Sequence, residues 1–363
     1  MKKLNAFFKV STVTLVVGFT ASGCNKSASF SLLSDSASFQ QNSASINGKI
    51  DILFVIDNSG SMAASQQAVA DNIGRFFDKF DAKGFDYQIA VTTTDAWRTQ
   101  FGGAATMAQL RDGTDASSHT GVHVVTPSTP NRQSVFITNM LQGTSGNGDE
   151  RAFQSIQSTL DSQLNTPYGF PRADAFFSII MLSDADDLSN TTGTTIDNGN
   201  PSSYYANPNL IPVQTYLNYL DGKMGVVGGA RSGKYNVNTI GVLDATCEQQ
   251  VSSGGENKIG NRYMQLSDAT GGIKGSICAD FGTTLSDISY KIIQLRTRFY
   301  LDRGLDPSTL HVFIDGVVVP VASDASGNGY IYNTADNSIS FFGTFVPGPG
   351  AAISVSFDPT SIK

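Results

Sequence analysis

The sequence predicts a doubly wound α/β fold, a mostly parallel sheet with helices on both faces, followed by a small antiparallel β domain. Three observations carry this expectation. Residues 50–56 (IDILFVI) and 175–182 (AFFSIIML) are nearly unbroken apolar runs, as expected of strands covered on both faces. Strand-like and helix-like segments alternate from residue 50 to residue 298, which is the pattern of a parallel sheet. Beyond residue 298, short strands follow one another with Asp-Gly, Gly-Asn-Gly and Pro-Gly turns between them.

Taken in order, the run at 50–56 is the first strand. Residues 65–80 carry Val69, Ile73, Phe76, Phe77 and Phe80 at helical spacing, and Gly84 closes that helix. A strand at 87–92 precedes a long polar insertion, and a short strand follows at 123–126. Helices are expected at 130–141 and 149–164, the second with Phe153, Ile156 and Leu160 on one face. After the strand at 175–182, residues 190–209 read as a Gly/Asn/Thr/Pro-rich loop. A helix at 213–220, a strand at 236–243, a helix at 261–269, a short strand near 273–277 and a helix at 284–296 complete the α/β part. The β part contains candidate strands at 297–301, 310–314, 317–320, 330–332, 339–342 and 353–357.

Composition narrows the function classes. The chain has 363 residues, 40% hydrophobic and 15% charged, enough for a substantial core. Its net charge of −7 excludes the basic footprint of a nucleic-acid binder. Three histidines, none in an H-E-x-x-H pattern, disfavour a His-based zinc enzyme. Residues 1–9 are short and basic, and 10–21 form an apolar stretch of signal-peptide length, too short to span a bilayer comfortably. Ala21-Ser22-Gly23-Cys24 then resembles a bacterial lipobox, although Ala21 stands where Leu is usual. The resemblance implies a signal peptide over 1–23, lipid modification of Cys24 and attachment to a membrane of the cell envelope, facing the periplasm or the outside. Residues 24–48 are Ser-rich and read as a tether. Its 24 residues after Cys24 reach roughly 80 Å at about 3.3 Å each. The expected domains are therefore 49–298 and 299–363. Cys247 and Cys278 remain as an even pair in an oxidising compartment, and a disulfide between them is expected.

The chemistry sits at strand ends. Asp57-Asn58-Ser59-Gly60-Ser61 directly follows the first buried strand, where open α/β sheets bind ligands. One carboxylate and two hydroxyls on such a turn are hard oxygen donors suited to Mg²⁺. The other long apolar strand ends in Ser183-Asp184-Ala185-Asp186-Asp187, and a polar loop, Gly143-Thr144-Ser145-Gly146-Asn147-Gly148, lies between them in sequence.

These three loops resemble the metal-ion-dependent adhesion site of the von Willebrand factor type A (vWA) domain, in the form found in bacterial surface lipoproteins. The resemblance implies that Asp57, Ser59, Ser61, Thr144 and Asp184 hold Mg²⁺, or Mn²⁺ or Ca²⁺ in its place. Ser145 is an alternative to Thr144, because the loop is longer than usual, and Asp186 and Asp187 either hold a second cation or decorate the rim. It further implies a metal bridge to an Asp or Glu of a protein or surface partner, and hence an adhesive role without catalysis. The alternatives are an envelope scaffold with a non-functional metal site and, less favoured, a Mg²⁺-dependent hydrolase using Asp186 or Asp187.

Three other signals are discounted. Residues 228–234 (GGARSGK) imitate a phosphate-binding loop but precede a strand, where that loop needs a helix. Residues 324–329 begin like a calcium loop, yet Ala335 stands where its bidentate Glu belongs. Trp97 is read as packing, and Asp95 as a loop-organising cap.

Overall fold

The computed structural model describes residues 46–114, 118–251 and 258–360. The signal peptide, Cys24 and most of the tether lie outside the described residues.

Six strands form the main sheet: β1 (Lys49–Ile56), β2 (Asp86–Thr93), β3 (Val124–Val125), β4 (Phe176–Ser183), β5 (Tyr235–Gly241) and β6 (Lys274–Ser276). Their order is β3-β2-β1-β4-β5-β6, all parallel except β3, which runs antiparallel to β2. The helices are α1 (Ala63–Asp81), α2 (Arg132–Met140), α3 (Ala152–Asp161), α4 (Pro201–Tyr205), α5 (Val213–Lys223), α6 (Ala245–Val251), α7 (Asn261–Thr270) and α8 (Phe281–Arg296).

The run IDILFVI feeds two cores at once. Ile50, Ile52, Phe54 and Ile56 join the side chains of α1, α2 and α8 on one face. Leu53 and Val55 join α3, α5 and α7 on the other. Period-two alternation sends successive side chains to opposite faces, so a strand roofed on both sides must be apolar throughout. Asp51 is the exception. It is fully buried, and its carboxylate is held by the Arg172 guanidinium at 2.7 Å. α1 ends at Asp81, and Gly84 turns the chain towards β2 with φ +69°, a conformation in which glycine has no Cβ clash.

The C-terminal region forms two three-stranded antiparallel sheets, as expected. One is ordered β10-β11-β7 (Gly329–Asn333, Ser338–Phe342, Phe299–Tyr300) and the other β12-β8-β9 (Ile353–Ser356, His311–Ile314, Val317–Val319). Ile339, Phe341, Val312 and Val355 belong to the same apolar cluster as α1 and α8. Cys247 in α6 and Cys278 after β6 are disulfide-bonded.

Two helices were not expected from the sequence, α4 lying within the segment read as loop. α4 is short and starts on Asn200, whose side chain caps the Ser202 amide, with Pro201 in its first turn. α6 has a single buried residue, Cys247, so no periodic apolar stripe announces it. The helix expected over 149–164 is shorter: α3 ends at Asp161, and residues 163–168 form a tighter 3₁₀ segment containing Pro167.

Phe54 packs edge-on against Phe76 of α1 and Phe136 of α2, with ring centroids 5.6 and 5.0 Å away. Phe54→Ala is expected to cost about 3–5 kcal/mol, and Phe54→Leu much less, in urea denaturation.

Candidate functional site

Strand order reverses between β1 and β4, and the crevice beyond their carboxyl ends is where such sheets bind ligands. The backbone stitches this edge together: the Asp57 amide donates to Leu182 O at 2.9 Å, and the Thr94 amide to Ile56 O at 3.0 Å. Asp57 is completely buried there. Its Oδ1 accepts the Ser59 amide at 2.8 Å, and its Oδ2 accepts the Ser183 hydroxyl at 2.7 Å. Asp57 therefore shapes its own turn while leaving lone pairs on both oxygens.

Ser59 is 4% exposed, and its hydroxyl completes no well-formed hydrogen bond although it lies close enough to the Asp57 and Glu150 carboxyls to lower both. Burial pushes Asp57 up to about 6, with a further push from Asp184, against the relief of its serine hydrogen bonds. Asp184 is also raised by burial, and the Ser61 hydroxyl beside it acts in the opposite sense. The structure thus brings Asp57, Ser59, Ser61 and Asp184 together.

A residue that the sequence did not single out completes the group. Glu150, 7% exposed, precedes α3, and its carbonyl accepts the Leu188 amide at 3.1 Å. Burial first, then the charges of Asp57 and Asp184, push its carboxyl up to about 9, while the nearby Ser59 hydroxyl lowers it. The available signal was an acid just before a helix. That position ordinarily reads as a partner of the helix dipole, which conceals any other use.

Thr144 and Ser145 show no contact with this group through hydrogen bonds. Both are exposed, and neither makes a side-chain hydrogen bond. Their loop is docked two residues later: the Gly146 amide donates to Asn58 O at 2.7 Å. A Cβ on Gly146 would lie 2.5 Å from the Asn58 side chain, so the close approach requires glycine. Asp95 accepts the Asn147 amide at 3.1 Å, an organising role for that same loop.

Asp186 and Asp187 are not rim residues. Both are fully buried. Asp186 accepts the Tyr205 hydroxyl and the Asp187 and Arg262 amides, which ties the loop to α4 and to the start of α7. Asp187 accepts the Phe153 amide at 2.9 Å, the Ser189 amide and hydroxyl at 3.1 and 2.8 Å, and the Arg262 guanidinium at 3.2 Å. Their oxygens are engaged in holding α3 and α7 against the end of β4.

Two further residues brace the edge. Gln66 of α1 donates to Asp57 O at 2.8 Å and Gly143 O at 2.9 Å, and accepts the Gln142 amide at 2.9 Å. Arg151 is fully buried, stacks on the buried Trp97 at 3.8 Å, and bonds to Asp149, Thr192 O and Thr194 O. The discounted motifs behave as expected. Lys234 is followed directly by β5, and Asp324 closes a local turn through the Ser326 amide at 2.8 Å.

Among the described residues, no three carboxylate, histidine or cysteine side chains form a metal-ligand group by themselves. Any cation here would need the serine hydroxyls as well. The donor set fits one: all donors are hard oxygens, and the buried Ser59 hydroxyl completes no well-formed hydrogen bond within the protein.

No protein-family model and no curated protein sequence matches the chain. Among solved structures, the chain is similar to the pilus adhesin SpaC from Lactobacillus rhamnosus GG in its open conformation. That match has 12% identity and a TM-score of 0.40, covering 85% of this chain and 38% of the adhesin. Proximal thread matrix protein 1 from the mussel byssus, with a zinc-occupied MIDAS motif, matches at 11% identity and a TM-score of 0.37, over 71% of this chain and 50% of that protein. The human COPII-coat protein Sec24c matches at 13% identity and a TM-score of 0.35, over 86% and 40%. The chain thus spans from 38% to 50% of the length of these proteins.

Two outcomes follow from the geometry. Gln66→Leu leaves the Gln142 amide and two carbonyls without their partner, and is expected to cost roughly 2–3 kcal/mol in urea denaturation. The folded Glu150 and Asp57 carboxyls hold protons more tightly than their unfolded forms, so the native state binds more protons than the unfolded one. Stability in chelator is therefore expected to fall as pH rises from about 5 to about 9, and Glu150→Gln to flatten that slope.

Proposed function

We propose that this chain is a vWA-type binding protein of the cell envelope that grips an acidic group of a partner through a divalent cation. We assign the cation to Asp57, Ser59, Ser61 and Asp184, with the buried Glu150 as an outer acid beside them that does the work resemblance alone gives to Thr144. One observation carries the assignment: the buried Ser59 hydroxyl, without a well-formed hydrogen bond, lies among three buried carboxyls.

Bound there, Mg²⁺, Mn²⁺ or Ca²⁺ would neutralise that charge and offer a coordination position to a partner's Asp or Glu. The chain's own residues do the rest. Ser183 and the Ser59 amide hold the Asp57 carboxylate in one orientation, and Gln66 keeps the 141–148 loop against it. Ser61 is exposed at the mouth, which leaves the group open to a partner on that side. The acidic chain repels an acidic ligand at long range, so recognition is local and depends on the cation. Export and lipid attachment at Cys24 belong to the same proposal, and the Ser-rich tether would let the domain search the space beside the membrane.

Calorimetric titration of the full chain with Mg²⁺ or Mn²⁺ tests the assignment. Saturable heat is expected for the native sequence, lost in Asp57→Ala and Ser59→Ala, and at least about tenfold weaker in Glu150→Gln. Thr144→Ala is expected to bind normally. Heat that survives Asp57→Ala overturns the assignment, and loss in Thr144→Ala with normal binding in Glu150→Gln restores Thr144 as the ligand.

A further inference from the structure

A cavity of about 540 Å³ opens between α4, residues 207–214 and the first turns of α5 and α7. Its polar lining is Tyr205, Asn207, Gln214, Asn261, Arg262 and Gln265, and the remainder is apolar. Four carboxamides each present both a donor and an acceptor on a planar group, which matches the paired hydroxyls of a sugar. No lysine and no carboxylate lines the cavity. The charge on Arg262 is matched by Asp187 at 3.2 Å, so the site offers no unbalanced charge to select an ion.

The wall is ordered. Tyr205 donates to Asp186, while Asn261 donates to the Tyr205 hydroxyl at 3.2 Å. The Arg262 side chain is 8% exposed, and Nη2 is taken by Asp187 and by Ile211 O at 2.7 Å. Its Nε is buried out of reach of solvent, so the guanidinium is held in place as part of the wall.

We propose that this cavity binds a neutral pyranose unit of a glycan through those carboxamides, with Arg262 fixing the wall behind them. Its volume lies within the range of small-ligand sites. Asp186, which anchors Tyr205 and the start of α7, stands two residues beyond Asp184, so cavity and carboxyl group share one loop. The proposal deepens the adhesive reading by naming a glycan-bearing partner, and its chemistry does not depend on the cation.

The full chain is titrated calorimetrically with methyl glucoside, methyl galactoside, methyl mannoside and N-acetylglucosamine, with glucuronate as the charged counterpart, each with and without EDTA. At least one neutral sugar is expected to bind saturably, on the order of millimolar, equally well in EDTA. Gln214→Ala and Gln265→Ala, both at exposed positions, are expected to weaken it about tenfold each without moving Tm. Absence of neutral-sugar binding, preference for glucuronate, or binding unchanged in both variants overturns the proposal. Sugar binding abolished by EDTA places the sugar on the cation and overturns the cavity, while leaving the metal assignment standing. Sugar binding without any Mg²⁺ heat does the reverse.

Discussion

Three buried carboxyl groups and the Ser59 hydroxyl gather where β1 and β4 part, with the exposed Ser61 beside Asp184 at the mouth. Burial disfavours the charged forms, Asp184 raises the proton affinity of Asp57 and Glu150 further, and Asp57 that of Glu150. Opposing charge is the natural remedy for such a cluster. Lys258, which lowers Asp184, has its ammonium paired with Asp197. Without such charge the carboxyls retain protons more readily, and the cation proposed above would supply the charge instead.

Much of the surrounding architecture serves to hold that unfavourable group in place. The Asp57 turn is bound to β4 through the Leu182 carbonyl and the Ser183 hydroxyl, and to α1 through Gln66. Gly146 lets the neighbouring loop dock on Asn58, and Arg151 fastens the start of α3 to the 192–194 segment. Asp186 and Asp187 extend the same scheme sideways, because their carboxylates organise backbone amides at the starts of α3 and α7. Residues that look like surplus ligands in the sequence are structural supports in the fold. The neutral, amide-rich cavity contrasts with the charged group.

The fold was largely legible because its strongest signals are physical necessities. A central strand covered on both faces must be apolar throughout, and the runs at 50–56 and 175–182 became β1 and β4 almost to the residue. The helices that carry an apolar stripe were visible for the same reason. α4 and α6 were not, since one rests on a cap and a proline and the other buries only Cys247.

For the candidate site, the amino-acid sequence by itself determined that Asp57, Ser59, Ser61 and Asp184 would meet, because each follows a buried strand and parallel neighbours end together. It also determined the disulfide pair, through the even count that remains after Cys24. Only the tertiary structure decided which residue from the intervening segment faces them. Loop direction depends on the docking of Gly146 on Asn58 and on the anchoring of Arg151, contacts between residues some 40 to 90 positions apart that no local pattern encodes. In that arrangement Thr144 is exposed and Glu150 is buried, where desolvation gives an ordinary glutamate its unusual chemistry.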